Sequence, residues 1–170
     1  INNYKNIGVS RSRNEAIKLA KGKYIIFLDS DDFFFNNFLL NLYKTIKKKN
    51  YEVIIANNEI IKKNILNNRL YWDLFRKNKL SPFCWNYIIQ KDFIIKNKIF
   101  FDNLKVFEDQ LFVLRLLTTV KKYKFFRKKF IKRNETFGSL GRLTNYQSAL
   151  CTLKNLFAIY KLRKKIKNKI

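Results

Sequence analysis

Twelve acidic side chains stand against 37 lysines and arginines in this 170-residue sequence, and five of the twelve fall into two tight groups. Asp29, Asp31 and Asp32 lie within four positions, and Glu108 and Asp109 are adjacent. Aspartates this close repel one another, so something must offset that cost. A divalent cation would, because Mg2+ and Mn2+ take carboxylate oxygens and share their shell with substrate phosphates. A turn leading into a helix N-cap accounts for the same cluster, since aspartate favours both. Both readings stand on the residues alone. Glu108-Asp109 is read either as acids complementing the dipole of a helix start or as a general base that takes a proton from an attacking hydroxyl. Paired carboxylates also serve glycoside hydrolysis, but that chemistry needs no metal and leaves the triple-aspartate cluster without a purpose.

What is missing narrows the chemistry further. There is no histidine, which removes Ser-His-Asp and Cys-His catalysis and histidine-ligated zinc. Two cysteines, Cys84 and Cys151, can form neither a four-ligand zinc site nor a disulfide framework. Such sparse cysteine suits a reducing, cytoplasmic setting. No methionine occurs, and Ile1 stands where a start codon would place one, so the chain is expected to be a processed product or a piece of a longer one.

The elements that must position these acids follow from periodicity. Ser12 through Glu15 fits a capping box and predicts a helix over 12–21 closed by Gly22. Residues 24–28, Tyr-Ile-Ile-Phe-Leu, form a short apolar run suited to a strand buried on both faces, and it ends directly in the aspartate cluster. Phe38, Leu39, Leu42, Tyr43 and Ile46 recur at helical spacing within 36–49. Val53–Ala56 reads as a second buried strand, 84–97 as short helical segments, and Glu108 to about Val120 as a helix. Residues 123–132 are rich in β-formers, and a basic helix is expected over 145–167. Alternating helices and buried strands predict an α/β fold. In open sheets of that class ligands bind beyond the carboxyl ends of the strands, where Asp29–Asp32 falls.

These residues also resemble a known family. Asn6 through Ser10, Arg13-Asn14, and Ala20 through Asp32 are similar to the middle of a family 2 glycosyltransferase with a GT-A fold. Trp85, Ile88, Ile99-Phe100 and Phe107 through Gln110 with Phe112 extend the likeness to about residue 117, and Arg133 and Gly138 through Leu140 match loosely. The resemblance implies a partial GT-A, Rossmann-like fold with a mostly parallel sheet and a helical basic C-terminal tail. It implies an inverting transferase using a nucleotide-diphosphate sugar, commonly a UDP-sugar. By that likeness Asp31 and Asp32 would hold Mn2+ or Mg2+, Asp29 would lie near the ribose, and Arg13 would face the donor nucleotide. Asp109 would be the base, Glu108 would orient it or the acceptor, and Trp85 would line the acceptor side. Arg13 as a solvated helix residue and Trp85 as a core aromatic are the plainer alternatives. Family members normally begin with strands that build the nucleotide pocket, and nothing before Ile1 supplies them here. A C-terminal fragment is therefore expected, with poor UDP binding on its own.

Three segments are expected: 1–58 with the remaining nucleotide-sugar half, 59–120 with the acceptor half, and 121–170 as a basic extension. That extension carries most of the formal net charge of +25. Lysine, asparagine, isoleucine and phenylalanine all have AT-rich codons, so drift in base composition explains part of the excess. Leu153, Leu156, Phe157 and Tyr160, followed by Lys161, Arg163, Lys164 and Lys165, would form a basic amphipathic face. Such a face suits peripheral contact with an anionic membrane and a glycan or lipid-linked acceptor. A solvated helix is the alternative. A nucleic-acid-binding module is a competing reading, since basic and aromatic residues permit backbone contact and base stacking. It lacks a recognisable binding motif, and no nucleic-acid partner is expected. An inactive remnant of a truncated gene is a third reading.

Overall fold

In the computed structural model the described residues are 6–47, 49–56, 81–104, 107–126, 130–132 and 158–161. Their elements run α1 Val9–Leu19, β1 Tyr24–Ile26, β2 Phe33–Phe34, α2 Phe38–Ile46, β3 Val53–Ala56, a 3-10 turn Cys84–Asn86, β4 Tyr87–Gln90, α3 Lys91–Lys96, α4 Glu108–Thr119, β5 Tyr123–Phe126 and β6 Ile131–Lys132.

Four strands form the main sheet in the order β1-β4-β3-β5. β4 pairs antiparallel with both β1 and β3, while β3 and β5 pair in parallel. Three strands therefore point one way and β4 points against them. The sheet is mixed: the expected parallel trend holds for strand direction, but two of these three ladders are antiparallel. The reversed strand was hidden in the sequence, because 84–97 suggested helical segments. Tyr87, Ile88 and Ile89 are all buried, and no Gly or Pro separates this apolar run from the helical residues Lys91–Lys96 that follow it.

Alternation along each strand feeds two cores, since successive side chains leave opposite faces. Ile25, Val53, Ile55, Tyr87, Ile89 and Phe125 join Ile17 of α1, Phe93 of α3 and Leu111, Leu114 and Leu116 of α4. Ile54, Ala56, Ile88 and Phe126 join Phe38 and Leu42 of α2. The result is three layers: α1, α3 and α4 on one face, the sheet, and α2 on the other. Burying β3 on both sides explains its Val-Ile-Ile-Ala composition. β5 belongs to this sheet, so the sheet draws on all three segments expected from the sequence.

α1 begins three residues before the expected capping box. Gly8 occupies the N-cap with φ +82°, a left-handed conformation that costs glycine little. Ser12 consequently sits inside the helix, where its hydroxyl donates to the Gly8 carbonyl at 3.0 Å. At the other end Ala20, not Gly22, is the C-cap, and the Lys91 ammonium donates to the Ala20 carbonyl at 2.5 Å. A lysine charge at a helix carboxyl end complements its dipole. α2 is shorter than expected and starts after Asn37 at φ 62°. Leu39 and Tyr43 share its helical pattern but face outward. α4 matches its expected bounds. Among the described residues no helix is long and apolar enough to cross a membrane. The expected tail helix is described only at 158–161, which is helical, with Ala158 and Ile159 packed against the first core. Arg133 and Gly138 through Leu140 lie outside the described residues.

Candidate active site

The aspartate cluster follows β1 at its carboxyl end. Phe27 continues the buried line of the strand, and the chain turns at once, with the Asp32 amide donating to the Asp29 carbonyl at 3.1 Å. Asp29 is about two-fifths exposed, Asp31 is half-buried and Asp32 is buried. The cluster therefore forms a turn, but it caps no helix: β2 follows it directly, and Asn37 is the N-cap of α2.

The second acid group stands at the start of α4, whose N-cap, Phe107, takes a left-handed φ of 61°. The loop before it is tied to α1 by two polar side chains. Asn14 acts as a fork: its amide nitrogen donates to the Phe101 carbonyl at 2.8 Å, and its oxygen accepts the Phe101 amide at 2.9 Å. Ser10, almost wholly buried, donates its hydroxyl to the Leu104 carbonyl at 3.2 Å. These bonds bring residues from either end of the site side by side.

Arg13, one turn along α1 from Ser10, occupies the space between the acid groups. One guanidinium nitrogen donates to Glu108 Oε1 at 2.9 Å and to Asp109 Oδ1 at 2.6 Å. Its second terminal nitrogen donates to Asp29 Oδ1 at 3.2 Å. The Phe27 and Phe101 rings lie 6.0 and 5.4 Å from the guanidinium carbon, within cation–π range. Phe101 in turn stacks on Phe112 with ring centres 4.0 Å apart. The other Asp109 oxygen accepts the backbone amide of Cys84 at 3.2 Å. Asp109 is thus gripped from both sides.

The electrostatics follow from burial. Asp109 is raised above the ordinary aspartate value, first because burial disfavours its charge, although Arg13 and the Cys84 amide pull it down. Glu108 is raised by burial and then by its neighbour Asp109. Burial works to lower Arg13, but the anionic groups around it outweigh that, so it stays firmly charged. Burial pushes the Cys84 thiol well up. A buried carboxylate with a raised pKa is a stronger base than a free one, which is the property a general base requires.

Of the seven expected site residues, the structure brings Arg13, Asp29, Glu108 and Asp109 into direct contact. Asp31 and Asp32 stand in the adjoining turn. Trp85 follows Cys84 and stacks on Phe83, with ring centres 4.3 Å apart and planes 8° from parallel. It is half-buried, placed in the turn that holds Asp109 rather than in the inner core. Among the described residues no three His, Cys, Asp or Glu side chains converge on one metal position. Three carboxylates converge on Arg13 instead. Mn2+ and Mg2+ keep water and phosphate oxygens in their shell, so adjacent carboxylates such as Asp31 and Asp32 are the type of donor these ions take. Sequence reasoning gave no role to Asn14 or to the Cys84 amide. The Arg13-Asn14 pair was the available signal for the first, whereas a backbone donor carries no side-chain signature.

The sequence model described as glycosyl transferase family 2 matches residues 1–115. The chain is 28% identical over 159 residues to a cholesterol galactosyltransferase of Borreliella burgdorferi, covering 80% of this chain and 44% of that protein. It is 32% identical over 138 residues to the poly(ribitol-phosphate) beta-N-acetylglucosaminyltransferase TarP of Staphylococcus aureus, covering 70% and 39%. The crystal structure of S. aureus TarS 1–349 in complex with UDP-GlcNAc superposes with a TM-score of 0.60 at 20% identity, covering 84% of this chain and 41% of that one. That likeness supports the α/β, GT-A-type fold. The chain spans less than half the length of these curated relatives.

Proposed function

The chain belongs to glycosyl transferase family 2, and from that premise we propose that it forms the catalytic part of an inverting transferase. It moves a sugar from a nucleotide-diphosphate donor, a UDP-sugar, to a hydroxyl of a glycan or lipid-linked acceptor. The observation that carries this reading is the meeting of two acid groups at one guanidinium. Asp29, at the end of β1, and Asp109, at the head of α4, both bond Arg13. Asp29 and Asp109 are thereby held within one side chain's reach, as a donor side and an acceptor base would need to be.

The chain's residues suggest the following chemistry. Asp109 accepts the proton of the acceptor hydroxyl, and the freed oxygen attacks the anomeric carbon of the donor sugar. The bond from that carbon to the diphosphate oxygen breaks, and the nucleoside diphosphate leaves with the electron pair. One displacement on one face inverts the anomeric centre and needs no histidine and no covalent intermediate. Asp31 and Asp32 would hold Mn2+ or Mg2+ near the diphosphate; such an ion supplies Lewis-acid neutralisation of departing charge. Asp29 takes the ribose side, Glu108 orients Asp109 or the acceptor, and Trp85 borders the acceptor. Names of two relatives, one acting on cholesterol and one on poly(ribitol-phosphate), support a lipid or cell-surface polymer acceptor. Peripheral contact with an anionic membrane through the basic residues 145–170 fits that acceptor class.

The test is UDP release from UDP-sugars by the full-length protein carrying this chain, with cholesterol, lipid-linked glycans and ribitol-phosphate polymer as acceptors. Acceptor-dependent release that vanishes in Asp109→Asn supports the reading. Release that Asp109→Asn leaves intact removes Asp109 as the base.

A further inference from the structure

We propose that Arg13 is a positioning residue, which serves transfer by holding Asp109 and Glu108 rather than by contact with the donor nucleotide. The inference rests on the reading of Asp109 as the base. Its ground is geometric. Arg13 is only 14% exposed, and both terminal nitrogens are already turned onto carboxylates at 2.6, 2.9 and 3.2 Å. Phe27 and Phe101 stand beside its guanidinium. A planar fork so committed has little left to offer a nucleotide, and only arginine has the span to reach Asp29 and the Glu108-Asp109 pair at once.

The arrangement does two things for the base. It fixes Asp109 by one oxygen while the Cys84 amide fixes the other, so the carboxylate cannot rotate away. It also supplies the positive charge bonded to Asp109; among the described residues the acidic groups acting on that carboxylate are Glu108 and Asp29, and the Cys84 thiol is buried beside it. Without Arg13 the base would hold its proton to higher pH.

The experiment compares wild type, Arg13→Gln and Arg13→Lys in the full-length protein. It measures the pH profile of kcat and, by titration calorimetry, the affinity for UDP with Mn2+. For Arg13→Gln the expected result is a fall in kcat of about 100-fold, within the range for general-base catalysis. The acid limb should move to higher pH, with UDP affinity within about threefold of wild type on the same scale. Arg13→Lys keeps the charge but not the fork; it should restore the acid limb toward the wild-type position while kcat stays several-fold low. A parallel loss of UDP affinity and kcat with an unmoved pH profile would overturn the proposal, as would folded Arg13→Gln protein with wild-type kcat. Should Arg13→Gln fail to fold, Arg13→Lys decides alone. Lower kcat with UDP affinity kept upholds the role, and unchanged kcat or lost UDP affinity ends it. Asp109→Asn separates the two levels. If that variant transfers normally, the base assignment fails first; if it is inactive while Arg13→Gln keeps a wild-type pH profile, only the positioning role fails.

Discussion

Arg13 and Asp109, 96 positions apart in the chain, are joined by a 2.6 Å ion pair in a setting where both side chains are largely withdrawn from water. Burial of a charged pair is favourable only when geometry is good and the remaining polar atoms are satisfied. Here the Cys84 amide meets the second Asp109 oxygen, Glu108 shares the guanidinium nitrogen that bonds Asp109, and Asp29 accepts from the other terminal nitrogen.

Replacing Asp109 by Asn should separate activity from stability. Transfer should fall by roughly 10²- to 10⁴-fold, the usual contribution of a general base. The melting temperature should fall only modestly, because the amide offers one acceptor where the carboxylate meets both the Arg13 guanidinium and the Cys84 amide, while Arg13 keeps Glu108 and Asp29. Kinetics and a thermal melt on one preparation check both, and a large drop in melting temperature would contradict the second expectation.

The pH dependence has a definite sign. Asp109 must be ionised to accept a proton, so activity should fall as pH drops through its raised pKa, placing the acid limb above the ordinary aspartate range. Stability runs the other way. A carboxyl raised in the folded state holds its proton more tightly there, so its stabilising effect is present at low pH and is lost as pH rises through the folded value. Glu108 adds to the same trend. Denaturant titrations across that window should show wild type losing more stability with rising pH than Asp109→Asn does.

Asn14→Ala should loosen the loop that presents the base. It removes both bonds to Phe101 and leaves the Phe101 amide and carbonyl without that partner, at a cost of about 1–3 kcal/mol. The expected kinetic pattern is lower kcat with UDP affinity retained. Denaturant unfolding and donor titration measure the two, and weakened UDP binding would place Asn14 on the donor side instead.

Asp31→Asn should weaken the dependence of UDP binding on Mn2+. A metal held by two carboxylates loses much of its protein shell when one becomes an amide. Titration calorimetry with and without Mn2+ reads the difference, and identical Mn2+ enhancement in wild type and variant would remove Asp31 from the metal site.

Removing residues 145–170 should reduce pelleting with vesicles containing anionic lipid while leaving neutral vesicles unaffected. Basic residues near an anionic surface contribute about 1 kcal/mol each. Equal pelleting of both forms would leave the tail's charge without a membrane role.

How much of this was legible in the sequence depended on the period of each segment. β3 and α4 were placed closely because a four-residue apolar run between polar residues suits a strand, and a longer apolar segment opening on two acids suits a helix. β4 was not, because Tyr87 through Ile89 run on toward Phe93 through Ile95 with no Gly or Pro between them to mark the change from strand to helix. The start of α1 was misplaced because Ser12-Arg13-Asn14-Glu15 imitates a cap, whereas Gly8, with its left-handed conformation, makes the real one. The acidic residues of the site were visible as clusters. Their convergence on Arg13 was not, because it depends on Asn14 and Ser10 tying a distant loop to α1, a relation that exists only in three dimensions.

The place of β4 has a consequence for how the protein comes to fold. It lies between β1 and β3, yet it follows both in the chain. The first 56 residues therefore cannot close into their final sheet as they are made; β1 and β3 have no direct pairing and must wait for residues 87–90 to join them. Pairing at such sequence separation is slow, because loop closure comes before the contacts that reward it. The cluster around Arg13 joins α1, the end of β1 and the head of α4, so it too forms only once residues far apart in the chain have docked.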